Sequence, residues 1–312
     1  MIETAYGPLS VPDWPDDLIV KALRLQGEWA LSEQIVFSSL LRDTDVMLDV
    51  GGFLGTFGLG ATQRAKVPPA RLITLEPNPA IYEHLKANLE QNAPCPIDIV
   101  PFAIARNGGT LEVDAGSGDR NAGGLSYHEV EDEAAVTSQT VKAISLQELR
   151  AEFGPYEVAK LDVEGMETEA ILGDMDFIRE TKPVIWAECN ESQGSIELLE
   201  ALSWLGYEPI YVAFPAARMK NFKGSDEPFL PMAYEAALLA APPDRLEHFV
   251  AEVEGEDIIS TPVTTSFELR KALWSTPRWS EESWARMNRA ELIALLGRRQ
   301  IGSTLDDFLA GS

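Results

Sequence analysis

Between residues 46 and 240, short apolar runs alternate with stretches of helical period. Strand-like runs fall at 46–50, 71–76, 97–102, 110–113, 156–162, 183–188, 207–212 and 234–240. Helical stretches fall at 56–65, 79–91, 145–152, 166–172 and 195–205. Alternation of this kind predicts an α/β fold, a mostly parallel sheet with helices on both faces. Only a loop separates the last two strands, so they can close as an antiparallel hairpin at the sheet edge. Ahead of the pattern, Pro8, Pro12 and Pro15 break residues 1–30 into an irregular or hairpin-like arm. A helix is expected from Ser32, a cap candidate, to about Leu41.

Two stretches fall outside this alternation. Residues 114–139 are rich in Gly, Ser and acids, with weak apolar periodicity. They read as a long loop, a binding loop or lid on one view and a surface excursion on the other. After Pro242-Pro243 the remaining residues look helical, with Trp274, Trp279 and Trp284 and a helix expected from Ser280 to Arg299. Trp284, Met287, Leu292 and Leu295 give a rough helical stripe. It must cover its own domain, a second subunit in a homo-oligomer, or the acceptor site. The expected division is an arm and helix at 1–44, a catalytic domain at 45–242 and a helical C-terminal appendage at 243–312, the last dispensable for cofactor binding.

Composition narrows the partners. The formal net charge of −25 disfavours nucleic acid and anionic membranes, which bind through Lys and Arg clusters. Solubility is its simplest use. Cys95 and Cys189 are far apart and show no CxxC spacing, so neither a disulfide framework nor a zinc site is expected. With no signal-peptide pattern at the N-terminus and no apolar run of bilayer length, the expected location is cytoplasmic.

The chemistry begins at DVGGFLG, Asp49 to Gly55. An apolar strand precedes this glycine turn, and a second strand ends on the acid Glu76. That order is how an α/β sheet grips a nucleoside. Gly51, Gly52 and Gly55 let backbone approach a ligand, and Glu76 can accept from both ribose hydroxyls. Val50 stands where a dinucleotide fingerprint needs its first glycine. An acid ahead of the turn would repel a pyrophosphate and suit the cationic groups of S-adenosylmethionine. An NAD-dependent oxidoreductase is therefore the weaker reading.

A second cluster lies in YEVAKLDVEG, Tyr156 to Gly165. Strand alternation puts Lys160 and Asp162 on one face, Ala159 and Leu161 on the other. Asp162 and Glu188 both end strands, where ligands of open α/β sheets lie. The alternatives to a site role are a salt bridge from Asp162 to Lys160 and, for Glu164, a helix cap with Glu167 three residues on. His128 is a base candidate if its acidic loop folds over the site.

The series DVGGFLG, LEPNP (Leu75 to Pro79), KLDVEGME (Lys160 to Glu167) and KPVIWAECN (Lys182 to Asn190) resembles the FkbM-type methyltransferases. GEW at Gly27 and NAGG at Asn121 are similar to looser family features, and the likeness runs over roughly residues 20–240. The resemblance implies a Rossmann-like class I methyltransferase fold and an S-adenosylmethionine-dependent O-methyltransferase acting on a small hydroxylated molecule or glycan. It implies cofactor binding by Gly51, Gly52, Gly55, Glu76, Asn78 and Ala103, with Asp49 supporting the methionine end. Asp162 would face the reacting centre, with Glu188 and His128 as other base candidates. A metal-assisted variant would place Mg²⁺ on Asp162, Glu188 and Asn190. A silent adenosylmethionine-binding module on the same fold is the remaining alternative. The family often has Asn where this chain has Phe53, so a polar contact from that position is missing here.

Overall fold

The computed structural model describes residues 1–113, 127–129, 140–218, 220–227, 229–230, 233–276, 287–288, 290–291 and 293–294. The proline-broken arm opens with a hairpin, β1 (Ile2–Thr4) and β2 (Gly7–Leu9). It also holds a helix not anticipated from the sequence, α1 (Leu18–Leu25). Asp17 caps α1 by accepting from the Val20 N–H at 2.9 Å, and the helix buries Val20, Ala22 and Leu23. The next helix, α2, runs over Leu31–Ser38, a turn shorter than expected.

The expected alternation follows. It runs β3 (Val46–Val50), α3 (Thr56–Arg64), β4 (Arg71–Leu75), α4 (Pro79–Asn92) and β5 (Ile97–Val100). A side sheet of four short strands interrupts it: β6 (Ala103–Ile104), β7 (Gly109–Val113), β8 (Tyr127–Glu129) and β9 (Thr140–Ile144), in the order β6-β9-β7-β8. The alternation resumes with α5 (Leu146–Phe153), β10 (Val158–Leu161), α6 (Glu167–Leu172), α7 (Met175–Thr181), β11 (Val184–Glu188) and α8 (Gln193–Trp204). Last come β12 (Ile210–Pro215), β13 (Tyr234–Ala240), α9 (Pro243–Leu246), β14 (Ile259–Pro262) and α10 (Ser266–Ser275).

The central sheet has the order β14-β12-β13-β11-β10-β3-β4-β5. The five strands from β11 to β5 are parallel, and β13, β12 and β14 add antiparallel pairings. This is the Rossmann-like α/β sheet expected. The hairpin differs in one respect: β13 inserts between β12 and β11, so the hairpin is not the edge. The edge is β14, drawn from the tail. Its four residues end on Pro262, a residue suited to an outer strand. An uncovered β12 would leave a row of unpaired backbone groups.

The tail is thus not wholly helical, and its first part belongs to the sheet. Val263, Leu269 and Leu273 sit in the main core, and the Tyr211 hydroxyl lies 2.5 Å from Thr276 Oγ1. Arg245 of α9 reaches back to Asp45 with bonds of 2.6 and 2.8 Å, both residues buried. Trp274 is 75% exposed. Trp279, Trp284 and most of the helix expected at 280–299 lie outside the described residues, as does most of the loop at 114–139. Among the described residues no helix is long and apolar enough to cross a membrane, and both cysteines are free thiols.

Side-chain alternation splits the apolar residues into a core on each face. Leu48, Val50, Ile73, Leu75, Ala159 and Leu161 pack on one side, together with α5 to α8. Met47, Leu72, Val158, Val184 and Trp186 pack on the other, under α1 to α4. Asp49, Lys160 and Trp186 follow the second register and stand side by side across β3, β10 and β11. Helix α2 lies over that row.

Candidate active site

The carboxyl ends of β3, β4, β10 and β11 open into a pocket, and the first turn shapes its floor. Gly51 has φ +87°, and a Cβ there would overlap the Asp162 carbonyl oxygen. Only glycine fits both demands. The N–H groups of Gly51 and Gly52 donate to the Leu75 carbonyl at 3.2 and 2.9 Å, tying the turn to β4. Gly55, at φ +82°, starts α3. Phe53 stands at φ +45°, a left-handed conformation that the family's Asn tolerates better. Ala30 and Glu164 share that region, at φ +45° and +51°, and all three line the pocket. Such strain gathers where a site over-determines its backbone.

Glu76 ends the strand β4 as expected and lines the pocket. Its Oε2 accepts from the Phe53 N–H at 3.0 Å and its Oε1 from the Asn78 N–H at 2.8 Å. Each carboxylate oxygen keeps a further acceptor position. Burial pushes its pKa up to about 7, against the pull of those two N–H donors. Ala103 of β6 also lines the pocket, close by Phe102 and Ile104. Asn78 is instead a helix cap: its side chain accepts from the Ala80 N–H at 3.0 Å. Gly52 and Gly55 shape the turn from behind, without lining the pocket.

Asp49 is fully buried behind the pocket wall, its Oδ1 at 3.7 Å from Lys160 Nζ. A Cβ on Gly58 would sit 2.9 Å from its Oδ2, so α3 approaches the carboxylate closely. Burial pushes its pKa up to about 6, against the pull of Lys160 and the Gly58 N–H. Lys160 also contacts Asp162 Oδ2 at 3.0 Å and the Gly51 carbonyl at 3.3 Å, with the Phe57 ring 5.0 Å away. Burial alone would lower the Lys160 pKa; Asp162, Asp49 and Glu33 outweigh it and hold the ammonium above its ordinary value.

Asp162 therefore makes the salt bridge to Lys160 and lines the pocket as well. Glu188 lines it too. Glu164 does not cap α6. The cap position is Met166, without a side-chain cap bond. The Glu167 carboxylate braces the turn ahead of the helix, accepting from the Val163 and Gly165 N–H groups at 3.0 and 3.2 Å. Glu164 turns to the pocket, where oxygens of Asp162, Glu164 and Glu188 lie within 4.8 Å of one another. Asn190, the third ligand of the metal-assisted alternative, does not line it. His128 pairs with Glu112 in β8, but its side chain lies outside the described residues.

Glu33, Phe214 and Glu235 lie outside the motifs, and Trp29 and Trp186 lie within GEW and KPVIWAECN without a site role having been read for them; all five line the pocket. Glu33 comes from α2, and the Trp186 indole N–H donates to its Oε1 at 2.7 Å. Burial pushes Glu33 up to about 8, with Asp162 and Glu235 adding to it and Lys160 and the indole opposing. The readable signal was the register that puts Trp186 level with Lys160; the position of α2 was not readable.

Residues 57–209 match the family described as Methyltransferase FkbM domain. Among solved structures, the chain is similar to a methyltransferase FkbM from Methylobacillus flagellatus KT, at 16% identity and TM-score 0.43, covering 65% of this chain and 47% of that one. It is similar to a precorrin-6y C5,15-methyltransferase from Geobacter metallireducens GS-15, at 15% identity and TM-score 0.39, over 67% of this chain and 86% of that one. It is also similar to an O-methyltransferase from Bacillus cereus in complex with SAH, at 11% identity and TM-score 0.37, over 68% of this chain and 78% of that one. The chain spans about half the length of the first of these. No curated protein sequence matches it. Likeness at this level says nothing about an acceptor. The matched span starts just after the glycine turn, holds Glu76, Asp162 and Glu188, and marks residues 57–209 as an FkbM methyltransferase domain.

Proposed function

We propose that this chain is an S-adenosylmethionine-dependent O-methyltransferase acting on a hydroxyl of a small molecule or glycan. One observation carries the reading: a single pocket joins a nucleoside-type end, Gly51, Glu76 and Ala103, to a carboxylate-rich end, Asp162 and Glu188. The residues fit the cofactor. Glu76 has acceptor positions left for ribose hydroxyls, and the pocket's surplus of acids suits a ligand with a sulfonium and an ammonium. When bound, S-adenosylmethionine supplies an already activated methyl group. What remains for the protein is alignment and proton removal. Holding reactants in line supplies up to ~7–11 kcal/mol of barrier reduction. Carboxylates beside the reacting centre offer a base for the hydroxyl proton. Acidity favours a small acceptor over nucleic acid.

The test begins with calorimetric titration of S-adenosylmethionine, S-adenosylhomocysteine and NAD. Binding of the first two and not NAD is expected; the reverse would return the chain to the oxidoreductase reading. Methyl-labelled cofactor is then offered to a panel of sugars, polyols and phenols. Label recovered on oxygen supports the proposal, and label on nitrogen or carbon overturns it. Activity that survives EDTA assigns the reaction to carboxylates alone. Loss restored by Mg²⁺ assigns a metal to the Asp162, Glu164 and Glu188 group.

A further inference from the structure

Glu33 comes from the arm ahead of the matched domain, yet its carboxyl enters the pocket. It is held there rather than loose. The Trp186 indole that bonds it is itself fixed, buried between the rings of Phe37 and Phe214 at centroid distances of 5.6 and 6.5 Å. The nearby cation, Lys160, is engaged by Asp162, Asp49 and the Gly51 carbonyl. From the elements packed around it, the charged groups bearing on Glu33 are Lys160 and Asp162 of the β10 end and Glu235 of β13. Glu188, Glu164 and Glu76 line the same pocket, and Asp49 lies behind Lys160. Glu33 is half-buried at the pocket wall among other acids, and that setting favours its neutral form near pH 7. A cation entering the pocket reverses that preference.

We propose that Glu33 is the proton-accepting carboxyl of this site, and that it ionises only when a sulfonium occupies the pocket. The inference rests on the S-adenosylmethionine reading. On binding, Glu33 gives one proton to solvent. In the transfer, the acceptor's oxygen–carbon bond forms as the carbon–sulfur bond breaks, sulfur keeps the electron pair as a neutral thioether, and the hydroxyl proton passes to the Glu33 carboxylate. Glu33 is then neutral again, as in the empty pocket. One proton is released per cycle, as the overall reaction requires. S-adenosylhomocysteine carries no sulfonium and leaves Glu33 protonated.

The test is calorimetry of the full chain at pH 7.5 in buffers of different ionisation enthalpy, which counts protons released on binding. S-adenosylmethionine is expected to release about three-quarters of a proton more than S-adenosylhomocysteine, the protonated share of a group titrating near 8. In Glu33→Gln, whose amide oxygen can still accept from Trp186, the excess disappears while the cofactor still binds. An excess that persists in Glu33→Gln, or none in the wild type, overturns the proposal. Failure of the wild type to bind S-adenosylmethionine overturns the cofactor reading instead. Carboxyl ¹³C titration of the wild-type chain tests the same point without a variant. The Glu33 midpoint must fall with S-adenosylmethionine and not with S-adenosylhomocysteine; equal midpoints refute the idea.

Discussion

Replacing Arg245 by Ala tests how firmly the tail is built into the fold. Arg245 donates from its two terminal nitrogens to both oxygens of Asp45, at 2.8 and 2.6 Å, and to the Leu40 carbonyl at 3.1 Å. Asp45 is 0% exposed and Arg245 7%. Removing one partner of a buried pair costs about 3–5 kcal/mol, because the other charge stays buried. Asp45 keeps one donor, the Arg42 N–H at 2.8 Å, so the lower end applies. The expected loss is about 3 kcal/mol, or roughly 6 °C in Tm for a domain of this size. Urea unfolding followed by far-UV circular dichroism reads it. The double variant Arg245→Met with Asp45→Leu should recover most of the loss, since neither charge then remains. Asp244→Ala, which removes only the exposed pair with Arg42, should change little. A loss below about 1 kcal/mol in Arg245→Ala would refute the reasoning and return the tail to a separate appendage. By the same logic a chain ending near Ala241 should fail to fold. It loses Arg245, the edge strand β14 and the buried Leu269 and Leu273 together.

Three further outcomes are expected. Gly51→Ala should destabilise the protein by at least ~2 kcal/mol, from a positive φ and an overlap with the Asp162 carbonyl; normal melting would contradict this. Glu76→Gln should weaken S-adenosylmethionine about tenfold or more, since charge-assisted bonds contribute ~1.5–3 kcal/mol; unchanged affinity in a folded variant would remove Glu76 from the ribose. Stability without ligand should fall as pH rises from about 5 to 8. Glu33, Glu76 and Asp49 titrate at about 8, 7 and 6 when folded, above their ordinary values, so the folded state binds more protons across that window. Each contributes a slope of up to ~1.4 kcal/mol per pH unit. A Tm that rises over that range, or a Glu33→Gln variant with an unflattened profile, would count against it.

The apolar runs alone marked the central strands β3, β4, β5, β10, β11, β12 and β13, because burial on both faces of a sheet demands unbroken apolar stretches of strand length. Of the side sheet they marked β7 and missed β6, β8 and β9, which are short or lie in the polar stretch read as a loop. Alternation also put Lys160 and Asp162 on one face, and the glycine turn with the acid Glu76 marked the nucleoside end. Helix α1 was legible in principle from Asp17 ahead of an amphipathic stretch, but Pro12 and Pro15 drew attention to the breaks. The edge strand β14 was not legible. Four residues carry too short a pattern, and pairing is decided by the open edge of β12. The Asp45–Arg245 pair joins residues 200 positions apart, and nothing local to either marks the other. Glu33 is the sharpest case. In the sequence it is one exposed-looking acid in a helix. Only the packing of α2 against β11 brings it to Trp186, where lost water and the nearby acids push its pKa up. Sequence sets what a segment prefers within its own few residues. Which distant segments meet, and so which charges lose their water, follows from the sheet order and the packing above it.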